Sequence, residues 1–311
     1  MPRPHVSCMV RGWDLRAGTT GDMVLDSARY AENIGLDGLI AGDHVTFHGF
    51  GYDGLITLTA VAAVTERIQL KTAVYLLPLR HPVPVALQVA QLSQLSQGRF
   101  VFGVGVGGED PHEFTSSGVD PRHRGVRTNE ALQIVRRLWT EDNVTFPGRH
   151  FDLHDVTLYP KPWDHVPIFI GGRSDFALRR AGRYGDGYTG IWQSVDRLRA
   201  CREQIDEALV AAGREPGSVE LGMQFWLAVG DDAAVARANL AAGMESTYQV
   251  PFDRFERYSP YGSVRQVAEF IAPYIEAGAR HINLLPMQDS PEANIEAARA
   301  IQESLNDITG E

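Results

Sequence analysis

The sequence predicts an α/β fold, a (β/α)₈ TIM barrel that takes in residues 1–311 as a single domain. Three observations predict it. Eight short apolar runs each lead into a segment with helical hydrophobic spacing. No Ser/Gly-rich linker, low-complexity run or charge block interrupts the 311 residues, 44% of which are hydrophobic. Glycines and polar side chains gather just past the ends of the apolar runs, where a barrel builds its sites. Strict alternation calls for parallel strands and right-handed crossovers, and a doubly wound open sheet is the rival arrangement.

His5–Val10 reads as the first strand, and Thr19 and Thr20 as caps of a helix through Ile34. Gly38–Ala41 is the second strand, with a helix near Leu55–Val64. Ile68–Val74 is the third strand. Val83–Ser96, opened by prolines, is its helix. Phe100–Val106 is the fourth strand. Arg124–Trp139 places Ala131, Ile134, Val135, Leu138 and Trp139 on one helical face. Val144–Pro162 reads as an irregular excursion or hairpin. Ile168–Ile170 and Phe176–Tyr184, Gly187–Ile191 and Val195–Ala212, and Val219–Val229 and Ala233–Glu245 are strand–helix pairs five to seven. A Tyr- and Phe-rich loop comes next, then a helix at Val264–Glu276. His281–Leu285 is strand eight, and Asn294–Leu305 closes the chain. The spacing places long insertions after strands four and seven, on the face where barrels build their sites.

The net charge of −10 argues against nucleic acid or an acidic membrane as the main partner, while local basic spots can still bind a phosphate. No apolar stretch approaches the roughly 18 residues that span a bilayer. The N-terminus shows no signal-peptide pattern. Cys8 and Cys201 are too few for a disulfide framework and read as reduced structural thiols. A cytoplasmic protein in a reducing environment is expected.

Four stretches carry candidate chemistry. Strand two ends in Ala41-Gly42-Asp43-His44. An imidazole there serves as donor, general base or metal ligand, or is simply satisfied by Asp43. His44 and His48 lie four apart in a Gly-rich loop, which is a poor metal spacing, and no metal is expected. Leu70–Tyr75, with Thr72, Ala73 and Val74 at its end, offers either a steric surface or a plain buried strand. Gly103, Gly105, Gly107 and Gly108 strip side chains from the end of strand four. A flat ligand gains close approach to the backbone, unless the glycines serve tight packing. The run is neither a dinucleotide fingerprint nor a Walker loop. Ile168–Ile170 runs into Gly171-Gly172-Arg173-Ser174 and then a helix. Free amides, open access and an Arg suit a phosphate, while Ser174 or Asp175 also suits an ordinary cap.

In this order and spacing, the chain resembles the luciferase-like monooxygenase superfamily from about Gly12 to Pro286. The carriers are GLDGLIAGDH (Gly35–His44), TERIQLKTAVYLLPLRHPVPVALQ (Thr65–Gln88) and LSQGRFVFGVGVGGEDPHEF (Leu95–Phe114). Pro160–Pro162 and PIFIGGRSDFALRRAGRYGDGY (Pro167–Tyr188) complete the set. The resemblance implies a barrel oxidoreductase using the deazaflavin coenzyme F-420, favoured by Asp43-His44 and Thr65–Val74, or else reduced FMN. It implies hydride transfer to or from a small organic substrate. The alternatives are an FMN-dependent monooxygenase, including a flavin-fragmenting lyase, and a non-catalytic flavin-binding protein. It further implies that His44 is catalytic, with Asp43 orienting it, and that a non-prolyl cis peptide at Ala73–Val74 backs one face of the ring. The cofactor phosphate falls on Gly171, Gly172, Arg173 and Ser174, and His112 falls against the cofactor. Relatives are often dimers, so a homodimer is implied. One departure stands out. The sugar-phosphate dehydrogenase branch carries a Glu where this chain has Gly108, and Glu109 next door is expected to point elsewhere. Aromatics in Tyr248–Tyr261 read as a lid over an apolar substrate or as packing of the loop itself.

Overall fold

Alternation along each short strand turns one set of side chains toward a common axis and the other toward surrounding helices. The computed structural model describes residues 3–10, 18–48 and 50–310; Gly12, where the resemblance begins, lies outside them. Eight parallel strands form the barrel: β1 (His5–Met9), β2 (Gly38–Ala41), β3 (Gln69–Thr72), β4 (Phe100–Gly105), β5 (Ile168–Gly171), β6 (Gly187–Ile191), β7 (Glu220–Val229) and β8 (Ala279–Pro286). They pair in sequence order. β8 returns to β1 (Ser7 opposite Asn283) and β4 meets β5 (Gly103 opposite Phe169), so the sheet closes and the open-sheet rival falls.

The helices are α1 (Gly21–Asn33), α2 (Gly54–Ala62), α3 (Pro82–Leu95), α4 (Pro111–Ser116), α5 (Arg124–Thr140), α6 (Asp175–Tyr184), α7 (Val195–Ala211), α8 (Ala233–Tyr248), α9 (Val264–Glu276) and α10 (Pro291–Thr309). Their starts are written in the sequence. Thr20, Asp53, Ser174, Ser194, Asp232 and Ser290 each accept a first-turn amide, and Ser263 with Gln266 forms a capping box. The sequence predicts Ala233–Glu245 as the helix paired with strand seven. In the structure α9 packs between α7 and α10 in the outer ring, whereas α8 packs on the far end of β7 and on Tyr261–Gly262. There it builds a small core of its own from Ala228, Ala236, Leu240, Met244 and Phe252, distinct from the barrel core. Residues 106–167 separate β4 from β5 and carry α4, α5 and an antiparallel hairpin, Val144–Pro147 with Asp152–Val156. Among the described residues no helix is long and apolar enough to cross a membrane. Cys8 and Cys201 are both buried.

The barrel interior is polar near its floor. His281 pairs with Glu220 at 2.7 Å, and the Lys71 ammonium sits 5.2 Å from the Phe169 ring centroid with no hydrogen-bond partner. Burial pulls the Lys71 amine down to about 7, with Glu220 pulling weakly the other way. A depressed amine leaves the unfolded chain more protonated between about pH 7 and the ordinary Lys range near about 10.4, so native stability rises with pH across that window. Lys71→Met is therefore expected to stabilise the protein most at and below about pH 7, with the gain shrinking toward about pH 10. Urea midpoints of both proteins across that range check this; a pH-independent difference contradicts it.

Candidate functional site

The C-terminal ends of the strands surround a cleft of about 200 Å³. Its base comes from the strand ends at Met9, Ala73, Gly105, Gly171, Thr189, Gln224 and Leu285, and its walls from His44, Tyr52, Glu109, Trp192, Trp226 and Tyr248.

β2 ends at Ala41, and after Gly42 and Asp43 the chain turns into a hairpin, His44–Phe47 with Phe50–Tyr52. His44 stands on that hairpin, stacked on Phe47 (4.2 Å, 23°) with Tyr52 edge-on (5.7 Å). The orienting carboxylate differs from expectation. Asp43 does not hold His44; it is 2% exposed and accepts from both terminal nitrogens of Arg80 (2.5 and 2.8 Å) and from the Leu76 amide (2.9 Å). A buried carboxylate is stable only when paired, and the bidentate guanidinium outcompetes a neighbouring imidazole. Arg80 in turn covers the Tyr75 ring at 4.4 Å. The His44 partner is Glu113 of α4, with Nδ1 at 3.0 Å from Oε2. The same carboxylate accepts the Val45 amide at 2.8 Å. Burial pushes the Glu113 carboxyl up, but the His44 bond and charge and the Val45 and Thr46 amides outweigh it and hold it below the usual range.

The Ala73–Val74 peptide is cis, as the resemblance implies. Ala73 and Val74 line the cleft, whereas Thr72 does not. Its buried hydroxyl donates to the Gly103 carbonyl at 2.8 Å, so Thr72 ties β3 to β4 and is not placed to touch a cofactor. The glycine run has a different first occupant from the flat ligand that its access suggests. A Cβ on Gly103 would lie 1.8 Å from the Thr72 carbonyl oxygen. On Gly105 it would lie 2.3 Å from one Val74 methyl, and on Gly171 2.7 Å from the other. Gly107, at φ +62°, would bring a Cβ to 3.4 Å from Leu76 and Phe114. The glycines receive the chain that leaves β3, and through it the cleft gains a firm apolar floor. Gly105, Gly107, Gly171 and Gly172 still line its surface.

At the end of β5, Gly172 has φ +135°. Ser174 caps α6 by accepting the Ala177 amide at 3.3 Å, which leaves its O–H to donate. Exposed Arg173 lies 5.4 Å above the Trp192 ring. Glycines, a guanidinium with no hydrogen bond or ion pair among the described residues and the first-turn amides of α6 suit a phosphate, although Arg173 and Ser174 themselves do not line the cleft.

Two neighbouring expectations trade places. His112 is not on the cleft: its side chain is 87% exposed and pairs with Asp110 at 3.2 Å. Glu109, expected to point away, lines the cleft. The far wall is aromatic. Tyr248, at the end of α8, meets Trp192 (5.0 Å) and Trp226 (5.6 Å) edge-on, and Phe255 tilts against Trp192 at 4.5 Å. Burial pushes Tyr52 up to about 12, and burial, Tyr52 and Glu109 raise Tyr248, so both phenols remain O–H donors at neutral pH. Among the described residues no three His, Cys, Asp or Glu side chains assemble into a metal set. The arrangement sets an imidazole on an aromatic-walled cleft beside a glycine turn and helix start that suit an anion.

The model of the luciferase-like monooxygenase family matches residues 5–281. An F-420-dependent glucose-6-phosphate dehydrogenase of Kineococcus radiotolerans is 32% identical, covering 83% of this chain and 85% of its own. An F-420-dependent hydroxymycolic acid dehydrogenase of Mycobacterium tuberculosis is 30% identical, covering 70% and 62%. Among solved structures, an F-420-dependent secondary alcohol dehydrogenase in complex with an F-420–acetone adduct superposes with a TM-score of 0.84 over 97% of this chain and 99% of that one, at 22% identity. The F-420-dependent tetrahydromethanopterin reductase of Methanopyrus kandleri gives 0.78 over 98% and 99%, at 16% identity. At these identities the structural likeness speaks to the fold.

Proposed function

The chain belongs to the luciferase-like monooxygenase family, and from that premise we propose that it exchanges hydride between coenzyme F-420 and a small organic alcohol or carbonyl compound. One observation carries the proposal: His44, held through Nδ1 by Glu113, lines a cleft that runs from Gly171 and Gly172 to the aromatic wall. The F-420 dependence of the relatives supports the choice of cofactor.

The residues fit such a group. The α6 amides, with exposed Arg173 at the edge of the cleft, would take its phosphate, and Ala73 and Val74 on the cleft base would meet its ring. When bound, F-420 supplies or accepts the hydride. The chain's own residues do the rest. His44 Nε2 takes the hydroxyl proton of an alcohol, or returns it to a carbonyl oxygen. Trp192, Trp226 and Tyr248 exclude water and position an apolar substrate body. Gly108 departs from the sugar-phosphate branch, and Glu109 sets a carboxylate on the wall instead, which disfavours an anionic substrate.

The test is affinity for F-420 against FMN on one preparation, by fluorescence titration, and then turnover with an alcohol and ketone panel. Tighter F-420 binding with F-420-linked turnover is expected. Tighter FMN binding with substrate-dependent oxygen consumption overturns the proposal in favour of an oxygenase.

A further inference from the structure

We infer that Glu113 is the positioning residue of the proton transfer: it fixes the Nδ1–H tautomer of His44 and so makes Nε2 the base that faces the substrate. The inference rests on the proposed hydride transfer for its catalytic meaning, but its structural half stands alone.

Glu113 lies 69 residues from His44 in the chain, on the short helix α4 within the excursion after β4. Its carboxylate is fully buried and receives three groups of the His44 hairpin: the Val45 amide at 2.8 Å, the Thr46 amide at 3.5 Å and His44 Nδ1 at 3.0 Å. An ionised carboxylate only accepts hydrogen bonds. The His44 nitrogen that faces it must therefore carry a proton. In a neutral imidazole the other nitrogen then bears a lone pair. With Phe47 stacked on the ring and Tyr52 against its edge, the ring cannot turn without breaking these contacts. Nε2 is the nitrogen left for the cleft.

With oxidised F-420 bound as the hydride acceptor, Nε2 would take the hydroxyl proton of an alcohol R₂CH–OH as its carbon gives up hydride, leaving R₂C=O and an imidazolium. That imidazolium is stabilised by the Glu113 carboxylate. In reverse, the imidazolium protonates the carbonyl oxygen as hydride arrives at carbon. Asp43, bound to Arg80, cannot serve in this way although it is adjacent in sequence.

The first test needs no variant and no cofactor. ¹⁵N NMR of the cofactor-free protein should show His44 with a protonated Nδ1 and an unprotonated Nε2 above its titration. A proton on Nε2 instead overturns the inference. Glu113→Gln keeps size but turns an NH₂ toward Nδ1 once its oxygen accepts the Val45 amide. The His44 proton should then move to Nε2, and kcat should fall by roughly 10²-fold or more with F-420 affinity unchanged. Glu113→Asp, which restores a carboxylate, should return the wild-type tautomer and part of the turnover. A Gln variant with wild-type kcat and an unmoved His44 signal overturns the inference. If wild-type protein shows no F-420-linked turnover at all, the hydride-transfer proposal fails while the tautomer measurement still decides the role of Glu113.

Discussion

Replacing His44 with alanine is expected to lower kcat by about 10²- to 10⁴-fold, the range that a positioned proton-transfer group supplies. F-420 affinity should change far less, because the proposed anion seat is at the start of α6 and the proposed ring contact at Ala73–Val74. The variant also strips Glu113 of a partner while leaving its carboxylate buried, so a stability loss of about 1–3 kcal/mol should accompany the kinetic loss. Single-turnover oxidation of reduced F-420 by a ketone substrate, read beside a melting curve, separates the two effects. A turnover that survives unchanged removes His44 from the chemistry.

The largest structural effect is expected at Gly103. A Cβ there would stand 1.8 Å from the Thr72 carbonyl oxygen, a backbone atom that cannot swing aside as a side-chain tip does. Thr72 is further pinned because its hydroxyl donates to the Gly103 carbonyl. Gly103→Ala must therefore push β3 and β4 apart, and overpacking of this kind costs about 3 kcal/mol or more. Ala73 and Val74 should shift with β3, so cofactor affinity falls together with stability. Gly125→Ala is the control. Its Cβ would meet only the Arg180 guanidinium, at 3.4 Å, and it lies in α5, where alanine favours the helix. Thermal melts of the pair should show a large drop for the first and little change or a slight gain for the second. Equal effects contradict the account.

The strands were legible because parallel, doubly covered strands must be short and apolar, and the helices because their caps are written as Thr20, Ser174, Ser194 and Ser263. Position just past a strand was enough to single out His44. Its contacts were not legible, since Glu113 reaches it only after the excursion folds back over the barrel mouth. The Asp110-Pro111 start of a helix was the available hint. Asp43 was assigned to His44 by adjacency, but it lies in the connection between β2 and the hairpin, where Arg80 takes the carboxylate. The glycine run was a sound signal of close approach. That the approaching partner is the chain's own Val74 depends on how the chain leaves β3, which composition does not encode. Register also misplaced Glu109, because Gly107 and Gly108 both take positive φ and redirect the chain before it, while His112, placed by the resemblance, sits exposed beside Asp110.

The separate nucleus around Leu240, Met244 and Phe252 has an evolutionary consequence. It carries Tyr248 and meets Trp226 and Trp192, so much of the aromatic wall of the cleft rests on packing outside the main barrel core, joined to the barrel through Ala228 and Trp226 of β7. Mutations there draw on a local reserve of stability rather than the global one. The aromatic wall can therefore drift among descendants of this chain while the proposed hydride-handling residues at the strand ends stay fixed.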